Sequence, residues 1–228
     1  MALEPSKIVF EDNHLIAINK APSDIVQGDK TGDVTLPDEI KQYLKEKYNK
    51  PGNVFCGVIH RLDRPTSGIV LFAKTGKALE RMNAQFRDKT ISKTYIALVE
   101  GKTDPEGTLV HFLKKNEKQN KSYVVSEKDG KEARLKYKAI AFYNFYTLVE
   151  IELETGRHHQ IRCQFAKIGH MVKGDVKYGA KRSNSDGSIC LHAKTLKFFH
   201  PTSKELHELQ VEPPKNENWI QKKGPEGP

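Results

Sequence analysis

Cysteine is scarce in this chain: Cys56, Cys163 and Cys190 are three among 228 residues, widely spaced and without a Cys-x-x-Cys pair. That excludes a disulfide framework, offers no cysteine-based zinc site, and fits a reducing compartment, so a cytoplasmic protein is expected. No apolar run reaches the roughly 18 uncharged residues of a membrane-spanning helix. The opening MALEPSKIVFEDN carries acids within its first dozen positions and lacks the apolar centre of a signal peptide, so none is expected. Repeats, low-complexity tracts and Ser/Gly linkers are missing as well. The expectation is one continuous domain over residues 1–212, monomeric and long enough to bury its own core. A loose tail over 213–228 follows, in which the single tryptophan, Trp219, docks.

What the chain does have is positive charge: 38 Lys and Arg against 29 Asp and Glu, a net +9. Basic proteins of this kind favour polyanionic partners, because each neutralised phosphate releases condensed counterions. Lysines crowd residues 114–138, interleaved with Tyr123 and Tyr137. Two readings of that stretch stay open: an arm lying along a phosphate backbone, or a solvated two-stranded ribbon turning at Asp129-Gly130 whose lysines guard a sheet edge.

Short alternating segments predict strands at 7–11 and 14–20, 68–73, 92–99, 121–126, 133–141, 145–153, 189–199 and 206–212. Helical spacing predicts helices at 36–48 (Ile40, Tyr43, Leu44, Tyr48), 76–88 (Leu79, Met82, Phe86) and 158–168 (Ile161, Phe165, Ile168). Runs of strands with a few helices outside them make an α+β fold with a mixed, mostly antiparallel sheet and flanking helices.

Two polar clusters stand out against these elements. Residues 59–70, IHRLDRPTSGIV, place His60, Arg61, Asp63, Arg64 and Thr66 between apolar flanks. Local surface ion pairs would explain them at about 0–1 kcal/mol each. Residues 155–162, TGRHHQIR, load the start of a helix with Arg157, His158, His159 and Arg162. In a helix beginning near His158, Arg162 shares that residue's face. Positive charge opposes the helix dipole there unless an outside anion is bound.

The segment HRLDRPTSG at 60–68 resembles the signature of the RluA-like family of RNA pseudouridine synthases. KTYIALVEG at 93–101, TGRHHQIR at 155–162, GDVKYG at 174–179 and CLHA at 190–193 resemble further family segments in the same order. Two departures accompany the match. The chain enters its first strand by Lys7, leaving no room for the small RNA-binding domain that often precedes the catalytic one. The usual Lys-Pro-x-Gly is here Lys20-Ala21-Pro22-Ser23-Asp24.

The resemblance implies an enzyme that breaks the N1–C1′ bond of a uridine, turns the base over and rejoins it through C5, with no cofactor and no metal. It implies Asp63 as the catalytic carboxylate meeting charge at the anomeric carbon, a demand shared with glycoside cleavage. It places Arg162 as the ion-pair partner that keeps Asp63 charged. Tyr95, otherwise an ordinary strand aromatic, stacks on the uracil and takes the C5 proton, while Leu191 forms the pocket floor. Arg61 fills the vacated base position or grips phosphate, Arg157 and Arg64 contact phosphates, His159 orients its loop, and His60 serves as a structural hydrogen-bonder at the RNA face. The partner is a ribosomal or transfer RNA stem-loop whose target base must leave its stack. Two rivals are weighed: a metal-dependent phosphoesterase using His60, Asp63, His158 and His159, and a non-catalytic RNA-binding module.

Overall fold

The computed structural model describes residues 3–28 and 32–220. The chain divides into two compact units, one built from the residues up to Ile91 with Lys194–Glu212, the other from Ser92–Ala193 with the segment from Pro213 onward.

The first unit begins with the antiparallel strands β1 (Ile8–Glu11) and β2 (Leu15–Lys20). A helix α1 (Leu36–Lys47) follows because Thr35 and Asp38 form a capping box and Pro37 pre-sets the first turn. The short β3 (Gly57–Val58) and the fully buried β4 (Ser67–Ala73) come next, and β2 and β3 both pair with β4. Helix α2 (Gly76–Arg87) is capped by the Thr75 hydroxyl, which accepts from the Ala78 amide at 3.2 Å.

Strand β2 is apolar on both faces, so the two faces feed different cores. Leu15 and Ala17 join Leu71, Met82 and Phe198, whereas Ile16 and Ile18 join Leu36, Ile40, Leu44 and Phe72. The chain re-enters this unit late, within the strand Leu191–Phe199, which pairs antiparallel with Leu206–Gln210.

The second unit holds β5 (Ser92–Glu100), β6 (Glu106–Asn116), β7 (Lys121–Val125), β8 (Lys131–Phe142) and β9 (Tyr146–Leu153). They lie in the spatial order β5-β9-β8-β6-β7, and every one of these pairings is antiparallel. Helix α3 (Gln160–Lys167) packs with Leu113, Ala133 and Tyr178 through Cys163. The two strands of that late pair are β10 (Leu191–Phe199) and β11 (Leu206–Gln210).

Three expectations need correction. The lysine-rich stretch is not a ribbon turning at Asp129-Gly130, because β6 lies between β7 and β8. Glu127–Asp129 form a short 3-10 turn instead. Strand β6 itself was not foreseen: only Leu109 and Leu113 of its eleven residues are buried, too sparse an alternation among lysines to read. Helix α3 starts at Gln160 rather than His158, since His159 sits at φ 52° in the left-handed region and ends the preceding turn. In agreement with the expected docking, Trp219 meets His192 edge-on at 6.3 Å, and the neighbouring Asn218 carbonyl accepts from Cys190 Sγ at 3.3 Å and from Lys173 Nζ. Residues 221–228 lie outside the described residues.

Candidate active site

In the first unit, the loop joining β3 to β4 carries His60, Arg61, Asp63 and Arg64. His60 Nε2 accepts the Leu71 amide at 3.1 Å and its ring stacks on Phe86 at 5.2 Å. That nitrogen is committed to the fold and is no metal ligand. Arg61 is exposed and donates to Gln27, while exposed Arg64 pairs with Asp33 at 3.2 Å. Asp63 is half-buried, and its carbonyl accepts the Thr66 amide at 3.0 Å, closing a tight turn. The Arg64 carbonyl accepts the Ser23 amide at 3.0 Å and Lys20 Nζ at 3.0 Å. Thr66 is buried, and its hydroxyl has no hydrogen-bond partner.

In the second unit, Arg162 is 4% exposed on α3 and holds Asp175 bidentately, Nε to Oδ2 at 2.6 Å and Nη2 to Oδ1 at 2.8 Å. Two parallel charge-assisted bonds fix the plane of the guanidinium as well as its position. Its face lies over the Tyr178 ring at 5.1 Å, and Lys121 approaches the same ring at 4.9 Å.

The Tyr178 hydroxyl accepts the Ser122 amide at 2.8 Å and stands 3.0 Å from His159 Nδ1. His159 stacks on His158 with 3.8 Å between ring centres. Ser122 Oγ donates to the His158 carbonyl at 2.7 Å, so its lone pairs face His158 Nδ1 at 2.9 Å and that nitrogen carries the proton. One connected network therefore joins the start of β7, the residues before α3 and the turn at 175–178.

Tyr95 is buried on β5 opposite Ile151, and Leu191 is buried at the start of β10. Lys93, two residues before Tyr95 on the same strand face, is buried enough to push its amine below the usual lysine range. Arg157 is exposed, and its Nε donates to the Glu132 carbonyl at 2.8 Å. Among the described residues no group of three His, Cys, Asp or Glu side chains could hold a metal ion.

Two anchors escaped the sequence reading. Asp175 lies inside GDVKYG, a segment noted for its resemblance but without an assigned role. Lys20 ends the strand LIAINK, and the period of two puts it on the inward face of Ile16 and Ile18. That phase was the available signal.

Burial, assisted by the Arg162 and His158 charges, pushes His159 from 6.5 down to about 2. The folded protein thus keeps this ring neutral while the unfolded chain protonates it below pH 6.5. Its stabilising contribution is complete above that pH and is lost as pH falls toward 2. His159→Asn should take up about one proton fewer on unfolding near pH 5, read from the pH slope of the urea-unfolding free energy. An unchanged slope counts against the neutral assignment.

Among the described residues no helix is long and apolar enough to cross a membrane. The sequence profile described as RNA pseudouridylate synthase matches residues 14–167. Ribosomal large subunit pseudouridine synthase D of Zymomonas mobilis is 34% identical over 224 residues, covering 93% of this chain and 70% of that protein. Ribosomal large subunit pseudouridine synthase C of Vibrio cholerae is 34% identical over 211 residues, covering 90% of this chain and 64% of that protein. The chain thus spans roughly two thirds of the length of these relatives. Among solved structures, Human RNA Pseudouridylate Synthase Domain Containing 4 superposes with a TM-score of 0.76 at 20% identity, covering 92% of this chain and 89% of that one, a likeness of fold.

Proposed function

The chain belongs to the RNA pseudouridylate synthase family, and from that premise we propose that it isomerises specific uridines in structured RNA through Asp63, Tyr95 and Arg162. The names of its relatives point to large-subunit ribosomal RNA as the first substrate to try. A transfer RNA stem-loop is the second. In this reading the catalytic domain runs over residues 1–212.

The target uridine leaves its stack at a cost of a few kcal/mol, and stacking against Tyr95 returns about 1–3 kcal/mol. The Asp63 carboxylate meets the positive charge that develops at C1′ as the N1–C1′ bond breaks. The base turns over, C5 bonds to C1′, and Tyr95 takes the proton that C5 loses. N1 is left as N–H, so no atom is gained or lost overall. Arg162 holds Asp63 in its charged form and aims it, Leu191 floors the pocket, and Arg61 fills the space the base vacated. Arg64 and Arg157, both exposed, contact phosphates, with His60 shaping the RNA face and His159 orienting its own loop.

The observation that most supports this reading is the Arg162–Asp175 clamp, since a bidentate anchor orients a guanidinium buried to 4% exposure. An outward-facing phosphate contact would need no such anchor. The test is tritium release from RNA carrying 5-tritiated uridine, with ribosomal and transfer RNA compared. Wild type should release tritium from one of them; release from neither would leave the RNA-binding module as the better reading.

Affinity for RNA should fall about tenfold or more between 50 and 200 mM salt, as several lysines and arginines neutralise phosphates. Filter binding across that range measures it. A flat response would remove the basic surface from the RNA interface.

A further inference from the structure

Glu11 ends β1, and its side chain is only 8% exposed while four donors converge on it. Oε2 accepts from the Tyr43 hydroxyl at 3.0 Å and from Lys47 Nζ at 2.8 Å. Oε1 accepts from the Tyr48 hydroxyl and from Lys74 Nζ, both at 2.8 Å. We propose that this cluster, with Lys50, is a second RNA-holding surface, where the Tyr48 ring stacks on an unpaired base and the lysines grip the phosphates beside it. The inference rests on RNA as the partner and is independent of the role given to Asp63.

Three observations carry it. The Tyr48 hydroxyl is tied inward to a buried carboxylate, yet the residue stays 47% exposed. The tether keeps the ring from swinging away, so its open surface is pre-organised and little freedom is lost on binding. Stacking suits any base, because every base has a π-face. Unpaired RNA fits this platform better than duplex, whose bases already stack on one another.

The second observation is excess charge. Lys74, Lys47 and Lys50 stand 5.0, 5.4 and 5.7 Å from the centre of that one ring. Glu11 balances one of the three, and the remaining charges repel each other around the ring. Lys50 is exposed and has no carboxylate partner among the described residues. A phosphodiester arriving beside the ring relieves that repulsion and sheds its own counterions. Burial raises the Glu11 carboxyl, but the bonds from Lys47, Lys74, Tyr48 and Tyr43 prevail and hold it down at about 2. The cluster therefore stays assembled at neutral pH.

The third is position within the first unit. Glu11 faces Ile16, which faces Phe72 near the end of β4, whereas Lys20 faces Gly68 near its start. Lys74 follows β4 directly, and Asp63 precedes it. At about 3.3 Å per residue, the strand sets the two places about 20 Å apart. An RNA with its target uridine at Asp63 reaches Tyr48 through nucleotides well outside the target position.

The test uses full-length protein and a fluorescent oligouridylate of about 12 nucleotides, within the site sizes of single-strand binders. Wild type, Tyr48→Ala, Tyr48→Phe, Lys50→Gln and the Lys47→Gln/Lys50→Gln pair are titrated across a salt series. Tyr48→Ala should bind about tenfold more weakly, as for the loss of one stacked base. Tyr48→Phe keeps the ring and should stay within about threefold of wild type. The log–log salt slope should become shallower by about 0.7 in Lys50→Gln and by about 1.4 in the pair. With 5-iodouridine in the oligonucleotide, ultraviolet light should crosslink it to the peptide containing Tyr48.

Wild-type affinity in Tyr48→Ala, with an unchanged slope in the lysine pair, overturns the inference and leaves RNA as the partner. Equal losses in Tyr48→Phe and Tyr48→Ala make the residue a support for Glu11 rather than a platform, and overturn it too. So does oligoglutamate displacing the probe as readily as unlabelled oligouridylate of equal charge, the mark of a patch blind to bases. Should Tyr48→Ala fail to fold, the Lys50→Gln slope and the crosslink decide. Failure of wild type to bind ribosomal RNA, transfer RNA or the oligonucleotide sinks RNA as the partner, and with it the reading beneath this inference.

Discussion

Asp63→Ala is expected to abolish isomerisation, lowering turnover by at least about 10³-fold, or some 4 kcal/mol of transition-state stabilisation. The cause is specific. Positive charge develops at C1′ only as the glycosidic bond stretches, so losing the carboxylate costs more in the transition state than in the bound complex. RNA affinity should stay within about threefold of wild type, since one side chain among many charged groups adds little to phosphate attraction. Asp63→Asn keeps the shape while removing the charge, and should be as inactive as the alanine variant. Tritium release scores turnover and filter binding scores affinity. Equal release by wild type and variant would refute the assignment.

Arg162→Met should produce two separable losses. Asp175 is 1% exposed, so deleting its cationic partner strands a carboxylate inside the protein. Breaking a buried pair this way costs about 3–5 kcal/mol, visible as a shifted urea midpoint with an unchanged m-value. Pairing the change with Asp175→Leu should restore most of that stability, because an apolar replacement of a buried ion pair is often neutral.

Turnover should not return in the double variant, since the guanidinium proposed to aim Asp63 is still missing. Recovery of both stability and turnover would show that Arg162 serves only the fold. Loss of turnover at full stability and full RNA affinity would bear out its proposed role.

Much of this was legible from local chemistry. Ile40 and Leu44 stand at the helical spacing that predicts α1, and both are buried on its inner face. The run from Ile69 to Ala73 has no polar member, and the strand it forms is buried throughout. HRLDRPTSG could be singled out because five polar groups between apolar flanks are unusual without a use.

What escaped detection lay in interactions between segments distant in sequence. Asp175 becomes meaningful only when α3 carries Arg162 to it, 13 positions away. Lys20 becomes an anchor only when the loop around Pro65, more than forty positions on, reaches its amine. The order of β6, β7 and β8 failed for a related reason. A short polar turn such as Asp129-Gly130 reads as a hairpin, and nothing in it reveals a third strand slipping between its neighbours.

The first unit draws Leu196, Phe198 and Leu209 into the same core as Leu15, Leu71 and Met82. On a translating ribosome these apolar partners emerge more than a hundred codons apart. The nascent amino-terminal strands therefore wait, with part of their oily surface uncovered, until residue 209 has cleared the exit tunnel. Ribosome-bound intermediates stalled before that point should be sticky and protease-sensitive, and they should lean on chaperones more than a protein whose amino-terminal half closes by itself.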